Sequence, residues 1–208
     1  VLLSKKITMG PITRKFEKQF AKFIGSKYAL MVNSGSSANL LSVFALINPL
    51  KKNHLKVGDE CLIPALCWST SLWPIVQAGL KPIFVDIDPN TLNMSIIDLK
   101  KKINKKTKAI MGVHILGNST NLNELNKIIK KNNLYFIEDT CESLGSKYKD
   151  KYLGTFGNFG TFSFYYSHQI TAGEGGMIVC NSKDDYQLLY SLRSHGWDRG
   201  ISNDKNSF

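Results

Sequence analysis

Apolar residues recur at two spacings along the chain, and the switches between them mark its elements. Phe16, Phe20 and Phe23 fall at helical spacing within residues 11–24, and Gly25 ends the run. This predicts an amphipathic helix behind a short irregular arm. Residues 27–32 read as a short strand. Asn33-Ser34-Gly35-Ser36-Ser37 reads as a polar turn leading into a helix over residues 38–47. That helix would turn Leu40, Leu41, Phe44 and Ile47 inward, with Ser34 or Ser36 as its cap.

Residues 60–64, 82–86, 107–113 and 134–137 are apolar runs with little alternation, as strands buried on both faces require. Helices are predicted between them at 68–78, 95–103 and 121–131, with Pro74 near the first turn of one and Ser95 capping another. Further on, Phe162, Phe164 and Tyr166 alternate with smaller residues as in a strand. Ser167-His168-Gln169 and the turn Gly173-Glu174-Gly175-Gly176 follow, then a strand over 177–180 and a helix over 184–194. Strands alternating with helices predict an α/β fold, three layers α/β/α, around a mostly parallel sheet.

Composition adds little to that picture. A chain of 208 residues with 43% hydrophobic and 21% charged residues is expected to be an ordinary globular domain. No apolar run reaches the eighteen residues a membrane helix needs, and the opening VLLSKKITMG does not have the form of a signal peptide. Cys61, Cys67, Cys141 and Cys180 lack metal-ligand spacing, so no metal is expected, and reduced thiols in a cytoplasmic protein are. The net charge of +11 comes mainly from lysines clustered around helix ends, which reads as a solvated face suited to an anionic substrate rather than to nucleic acid. Because the chain stops at Ser207-Phe208 soon after a helix and the turn Ser194-His195-Gly196-Trp197, residues 1–208 are expected to be an N-terminal arm plus a large domain, with a C-terminal domain missing.

Strand ends place Asn33 to Ser37, Trp68, His114, Asp139 and His168 on one rim of the sheet, where ligands collect in α/β folds. A strand feeding a Gly/Ser turn into a helix start presents free N–H groups to an anion, so Gly35, Ser36 and Ser37 are candidates for a phosphate. Neither a nucleotide-binding P-loop nor a GxGxxG pattern is present. Trp68 is placed to stack a flat ring. Asp139 is placed to hold a protonated ring nitrogen. Glu142 lies three residues on, and Ser163 adds a hydroxyl. His168 offers an imidazole, a side chain suited to proton transfer. His114 and Asn118 either approach the ligand or pack at a strand end. Arg193 and Arg199 either meet diphosphate oxygens or lie on the surface.

With these segments in order, the chain resembles the sugar-aminotransferase family of fold-type I pyridoxal-phosphate enzymes. The resemblance rests on NSGSSAN at Asn33–Asn39, GDE at Gly58–Glu60 with Pro64 and Trp68, and FVDID at Phe84–Asp88. It extends to HILGN from His114, EDTCESLGS from Glu138 and SFYYSHQITAGEGG from Ser163. It implies pyridoxal or pyridoxamine 5′-phosphate at the rim, and a homodimer. His168 stands where the family ordinarily has the lysine that binds the cofactor covalently. That departure resembles the branch of 3-dehydratases acting on nucleotide-linked 4-keto-6-deoxyhexoses in dideoxysugar and O-antigen synthesis. There the cofactor is held without a covalent bond and L-glutamate is the amino donor. In this branch a second histidine commonly follows the first, and this chain has Gln169. The wording around Trp68 and His168 is closer to the GDP-sugar members than to the CDP-sugar members. The resemblance implies that His168 moves protons while Asp139 keeps the ring nitrogen protonated. Two other readings stand beside this one, a nucleotide-sugar 4-aminotransferase and a non-catalytic cofactor-binding protein.

Overall fold

The computed structural model describes residues 10–197. A seven-stranded sheet forms its middle layer, in the order β1-β9-β8-β5-β4-β2-β3. Its strands are β1 (Tyr28–Val32), β2 (Glu60–Pro64), β3 (Lys81–Val85), β4 (Thr107–Val113), β5 (Tyr135–Asp139), β8 (Phe159–Ser163) and β9 (Gly176–Cys180). Only β9 runs against the rest, pairing antiparallel with β1 and β8, while β8, β5, β4, β2 and β3 pair in parallel. The expected three-layer, mostly parallel architecture is thus present. Between β5 and β8 lies a small hairpin with no counterpart in the sequence reading, β6 (Lys147–Tyr148) and β7 (Lys151–Tyr152).

Every residue of β2, β8 and β9 is buried, because helices cover both faces. One face carries α2 (Gly35–Ile47), α3 (Ser69–Gln77) and α6 (Lys183–Arg193), whose Val43, Leu46, Ile75, Leu188 and Leu189 meet Leu30, Ile63, Met111 and Ile137. The other carries α4 (Ile96–Lys102) and α5 (Leu122–Asn132) over Leu62, Ile110 and Phe136, and α1 (Pro11–Ile24) over Phe162, Phe164 and Met177. Among the described residues no helix is long and apolar enough to cross a membrane.

Local chemistry sets the helix ends. Pro11 opens α1, where its missing N–H is not needed, and Gly25 closes it at φ 79°, a left-handed value that favours glycine. The side chains of Ser95, Asn121 and Ser182 accept the capping bonds of α4, α5 and α6.

Four expectations change. The α2 helix begins at Gly35, three residues before the apolar run, because Ser34 caps it and Ser36 lies inside. Its inward face is Ala38, Asn39, Ser42, Val43 and Leu46, while Leu41, Phe44 and Ile47 are only partly buried. Pro74 is the sixth residue of α3, beyond the first turn. The last concerns the aromatic run, where β8 ends at Ser163. Phe164 N–H bonds to Gly175 O at 2.8 Å, so residues 164–175 form a loop and Tyr166 is exposed.

Candidate active site

Parallel strands deliver their carboxyl ends to one edge of the sheet, and a cleft of about 430 Å³ opens there. Gly35 and Ser36 reach it from the end of β1, Trp68 from β2, Ile115 from β4, Asp139 and Glu142 from β5, and Ser163 and His168 from β8. Seven of the eight residues expected from the sequence therefore share one cavity. Ser37 is the exception. Its N–H donates to Ser34 Oγ and its hydroxyl oxygen accepts from Ser34 Oγ, each at 3.1 Å, within the helix cap.

The Gly35–Ser36 end is a cradle built by closeness. A Cβ on Gly35 would stand 2.7 Å from Ser163 Cβ and 2.8 Å from Cys141 Sγ, so no other residue fits without displacement. As the first two residues of α2, Gly35 and Ser36 have N–H groups with no intrahelical acceptor, at the positive end of a 13-residue helix. Ser163 accepts the Tyr165 N–H at 3.3 Å through Oγ, and its hydroxyl proton remains available.

Asp139 is buried at 5% exposure, and its carboxylate is held firmly. Oδ2 accepts from Asn39 Nδ2 and from Ser71 Oγ, each at 2.7 Å. Oδ1 accepts the Cys141 N–H at 3.2 Å. The negative charge is felt next door: burial first, then Asp139, push the Cys141 thiol well above the ordinary cysteine range, and the same causes raise Cys67. Of the two, Cys141 lines the cleft.

His168 sits in the loop between β8 and β9, its N–H bonded to Tyr165 O at 3.0 Å and its ring edge-on to Tyr165 at 6.4 Å. Among the described residues its ring nitrogens have no hydrogen-bond partner, so both are available to a ligand. Gln169 ties this loop down by donating from Nε2 to Glu142 O at 2.8 Å. Glu142 Oε2 in turn accepts the Leu116 N–H at 3.3 Å. Trp68, the residue before α3, is 70% exposed at the mouth.

The remaining candidates resolve differently. His114 is buried and its Nε2 meets Glu138 Oε1 at 3.0 Å, the packed strand-end alternative. Asn118 Nδ2 bonds to Thr91 O at 3.3 Å. Arg193 is a structural residue rather than an anion ligand: Nη1 donates to Glu17 Oε1 at 3.0 Å and to Met31 O at 2.9 Å. Arg199 lies outside the described residues. Asn39, Ser71 and Thr161 escaped the sequence reading because each stands within a helix or strand, where a polar residue looks like an exposed position. Among the described residues no group of three or more His, Cys, Asp or Glu side chains could hold a metal ion.

Known proteins share this sequence pattern and fold. The profile of the DegT/DnrJ/EryC1/StrS aminotransferase family matches residues 1–207. A GDP-4-keto-6-deoxy-D-mannose 3-dehydratase of Escherichia coli O55:H7 is 50% identical over 201 residues, 97% of this chain and 52% of that protein. The crystal structure of a histidine-to-asparagine variant of GDP-4-keto-6-deoxymannose-3-dehydratase with bound GDP-perosamine superimposes with a TM-score of 0.93 at 50% identity, covering 97% of this chain and 52% of that one. A structure of the same enzyme with a trapped PLP–glutamate geminal diamine gives 0.91 at 48% identity, over 96% of this chain and 52% of that one. The chain thus spans about half the length of the curated relatives it matches. On the agreement of both sequence and fold, the chain belongs to the DegT/DnrJ/EryC1/StrS aminotransferase family.

Proposed function

We propose that the protein is a pyridoxamine-phosphate-dependent 3-dehydratase of a nucleotide-linked 4-keto-6-deoxyhexose, with the GDP-linked sugar as substrate and L-glutamate as amino donor. The observation that carries this reading is an imidazole at the cleft with no amine beside it. His168 lines the cavity, and among the described residues no lysine does.

The residues present fit a phosphorylated pyridine. The side-chain-free approach at Gly35, the N–H groups of Gly35 and Ser36 and the Ser163 hydroxyl suit the phosphate. Asp139 keeps Oδ1 for a ring N–H, Trp68 offers a face for stacking, and Glu142 supplies a second carboxylate at the same wall. When bound, the aminated cofactor supplies an amine for the sugar's C4 ketone and a ring that accepts electrons.

The chain's own part is positioning and proton transfer. An imidazole nitrogen of His168 takes a proton at the cleft and returns it to the departing C3 hydroxyl, which leaves as water. Asp139 holds the proton of the ring nitrogen in place. Histidine suits this work because it carries a proton near neutral pH yet does not capture the cofactor covalently, as a lysine would.

The relatives support the substrate class. We read the protein as a homodimer, supported by Trp68, Trp73 and Tyr166, which are 70%, 53% and 68% exposed. Free cysteines support a reducing, cytoplasmic setting. Residues 1–208 would be the arm and large domain of the whole enzyme.

The test uses the full-length protein with pyridoxamine phosphate, glutamate and GDP-4-keto-6-deoxymannose, reading the sugar by mass and NMR. A 3-deoxy product supports the proposal, and His168→Asn should abolish it while the cofactor still binds. A 4-amino product with an intact C3 hydroxyl would establish the aminotransferase reading instead.

A further inference from the structure

Asp139 stands at the end of a buried polar chain that enters the cleft wall from three elements. Asn39 lies one turn into α2, Ser71 in α3 and Thr161 in β8; their exposures are 1%, 0% and 0%. Thr161 Oγ donates to Asn39 Oδ1 at 2.6 Å, which fixes the amide's orientation. Asn39 Nδ2 then spends one N–H on Asp139 Oδ2 at 2.7 Å and the other on Thr70 O at 3.4 Å. That carbonyl is open because Pro74, four residues on, has no N–H to give it. Both polar atoms of the Asn39 amide are therefore committed, and a flipped amide would set its oxygen against the Asp139 carboxylate. Ser71 Oγ adds the second donor to Oδ2 at 2.7 Å.

We infer that Asn39, Ser71 and Thr161 are positioning residues that decide where the proton between Asp139 and the cofactor ring resides. This rests on the proposed function. Oδ2 already accepts two hydrogen bonds, and placing a proton on it would set O–H against N–H and O–H donors. Oδ1 is the oxygen left for a ligand, and the two donors facing Oδ2 leave no acceptor there for a carboxyl proton to meet. The proton shared with a ring nitrogen thus stays on the ring. The same helix offers Gly35 and Ser36 N–H groups to the phosphate and the Asn39 amide to Asp139, so α2 sets the distance between the two ends of the ligand.

The experiment uses full-length protein loaded with pyridoxamine phosphate labelled with 15N in the ring. Wild type should show a protonated ring nitrogen at pH 7.5. Asn39→Ala, Ser71→Ala and the near-isosteric Thr161→Val should move the 15N signal toward the unprotonated position and weaken pyridoxamine phosphate binding roughly tenfold. Ser71→Thr should restore both. Melting temperature identifies variants that fold, and Thr161→Val keeps the test open if Asn39→Ala does not. Folded variants with the wild-type signal and affinity overturn the inference while leaving the function in place. A wild type that binds no pyridoxamine phosphate overturns both.

Discussion

Glu138 and Asp139 are consecutive on β5 and turn their carboxylates to opposite faces of the sheet, one into structure and one into the cleft. Glu138, with 0% exposure, accepts the N–H groups of Gly154 at 2.9 Å and of Phe156 and Gly157 at 2.6 Å, besides its contact with His114. It pins residues 154–157 beneath the strand that ends in Asp139.

Glu138→Gln should therefore destabilise the protein sharply. The amide keeps one acceptor oxygen and sets its NH2 against backbone donors that lie 2.6–2.9 Å from the carboxylate. A loss of about 3 kcal/mol is expected, or roughly 6–12 °C in melting temperature. Thermal melting followed by circular dichroism checks this, and a variant within about 1 °C of wild type would remove Glu138 from its structural role.

Gly35→Ala tests the closeness of the cradle. The new Cβ meets Ser163 Cβ at 2.7 Å and Cys141 Sγ at 2.8 Å, the first an atom attached directly to the backbone and the second the end of a short side chain. Overpacking of this kind costs about 1–3 kcal/mol. Urea denaturation should show the loss. Cys141→Ala in the same chain should recover part of it by removing one of the two clashing atoms.

The physical reasons for what the sequence disclosed differ from element to element. Most of the sheet was legible because strands buried on both faces need unbroken apolar runs, although the edge strand β3 leaves Lys81 and Phe84 exposed, and the rim was legible because functional residues follow those runs directly. Phase within α2 was not. Leu41 and Phe44 are the larger apolar residues, but Asn39 and Ser42 share the buried face, since polar side chains with partners can enter a core. The same blindness hid Ser71 and Thr161. His114 left two readings open because it stands at a strand end, and its hydrogen bond to Glu138 shows that it serves the scaffold. The β6–β7 hairpin has two-residue strands, too short to produce a period.

Arg193 makes a third prediction, because it holds α6, α1 and β1 together instead of meeting a ligand. Its guanidinium lies over the Tyr190 ring at 4.9 Å and pairs with Glu17, whose Oε1 also accepts the Met31 N–H at 2.9 Å. Arg193→Met should cost about 3 kcal/mol, since Glu17 is left charged and buried. Adding Glu17→Gln should return part of that loss. Additive losses in urea denaturation would show that the pair is not coupled.

Alkaline pH should weaken the fold through two cysteines far from the cleft. Burial pushes Cys61 up to about 12, and burial with the Asp185 charge does the same for Cys180. An unfolded thiol titrates near pH 8.5, so above about pH 9 the unfolded chain holds fewer protons than the folded one. Stability from these thiols is complete below pH 8 and is lost as pH rises toward the folded values, by about 1.4 kcal/mol per pH unit for each. Cys61→Ala removes one of the two contributions. Its destabilisation relative to wild type, measured by urea unfolding, should shrink by about 1.4 kcal/mol between pH 9 and pH 10. An unchanged difference across that interval would mean that the Cys61 thiol ionises in the folded protein as readily as in the unfolded chain.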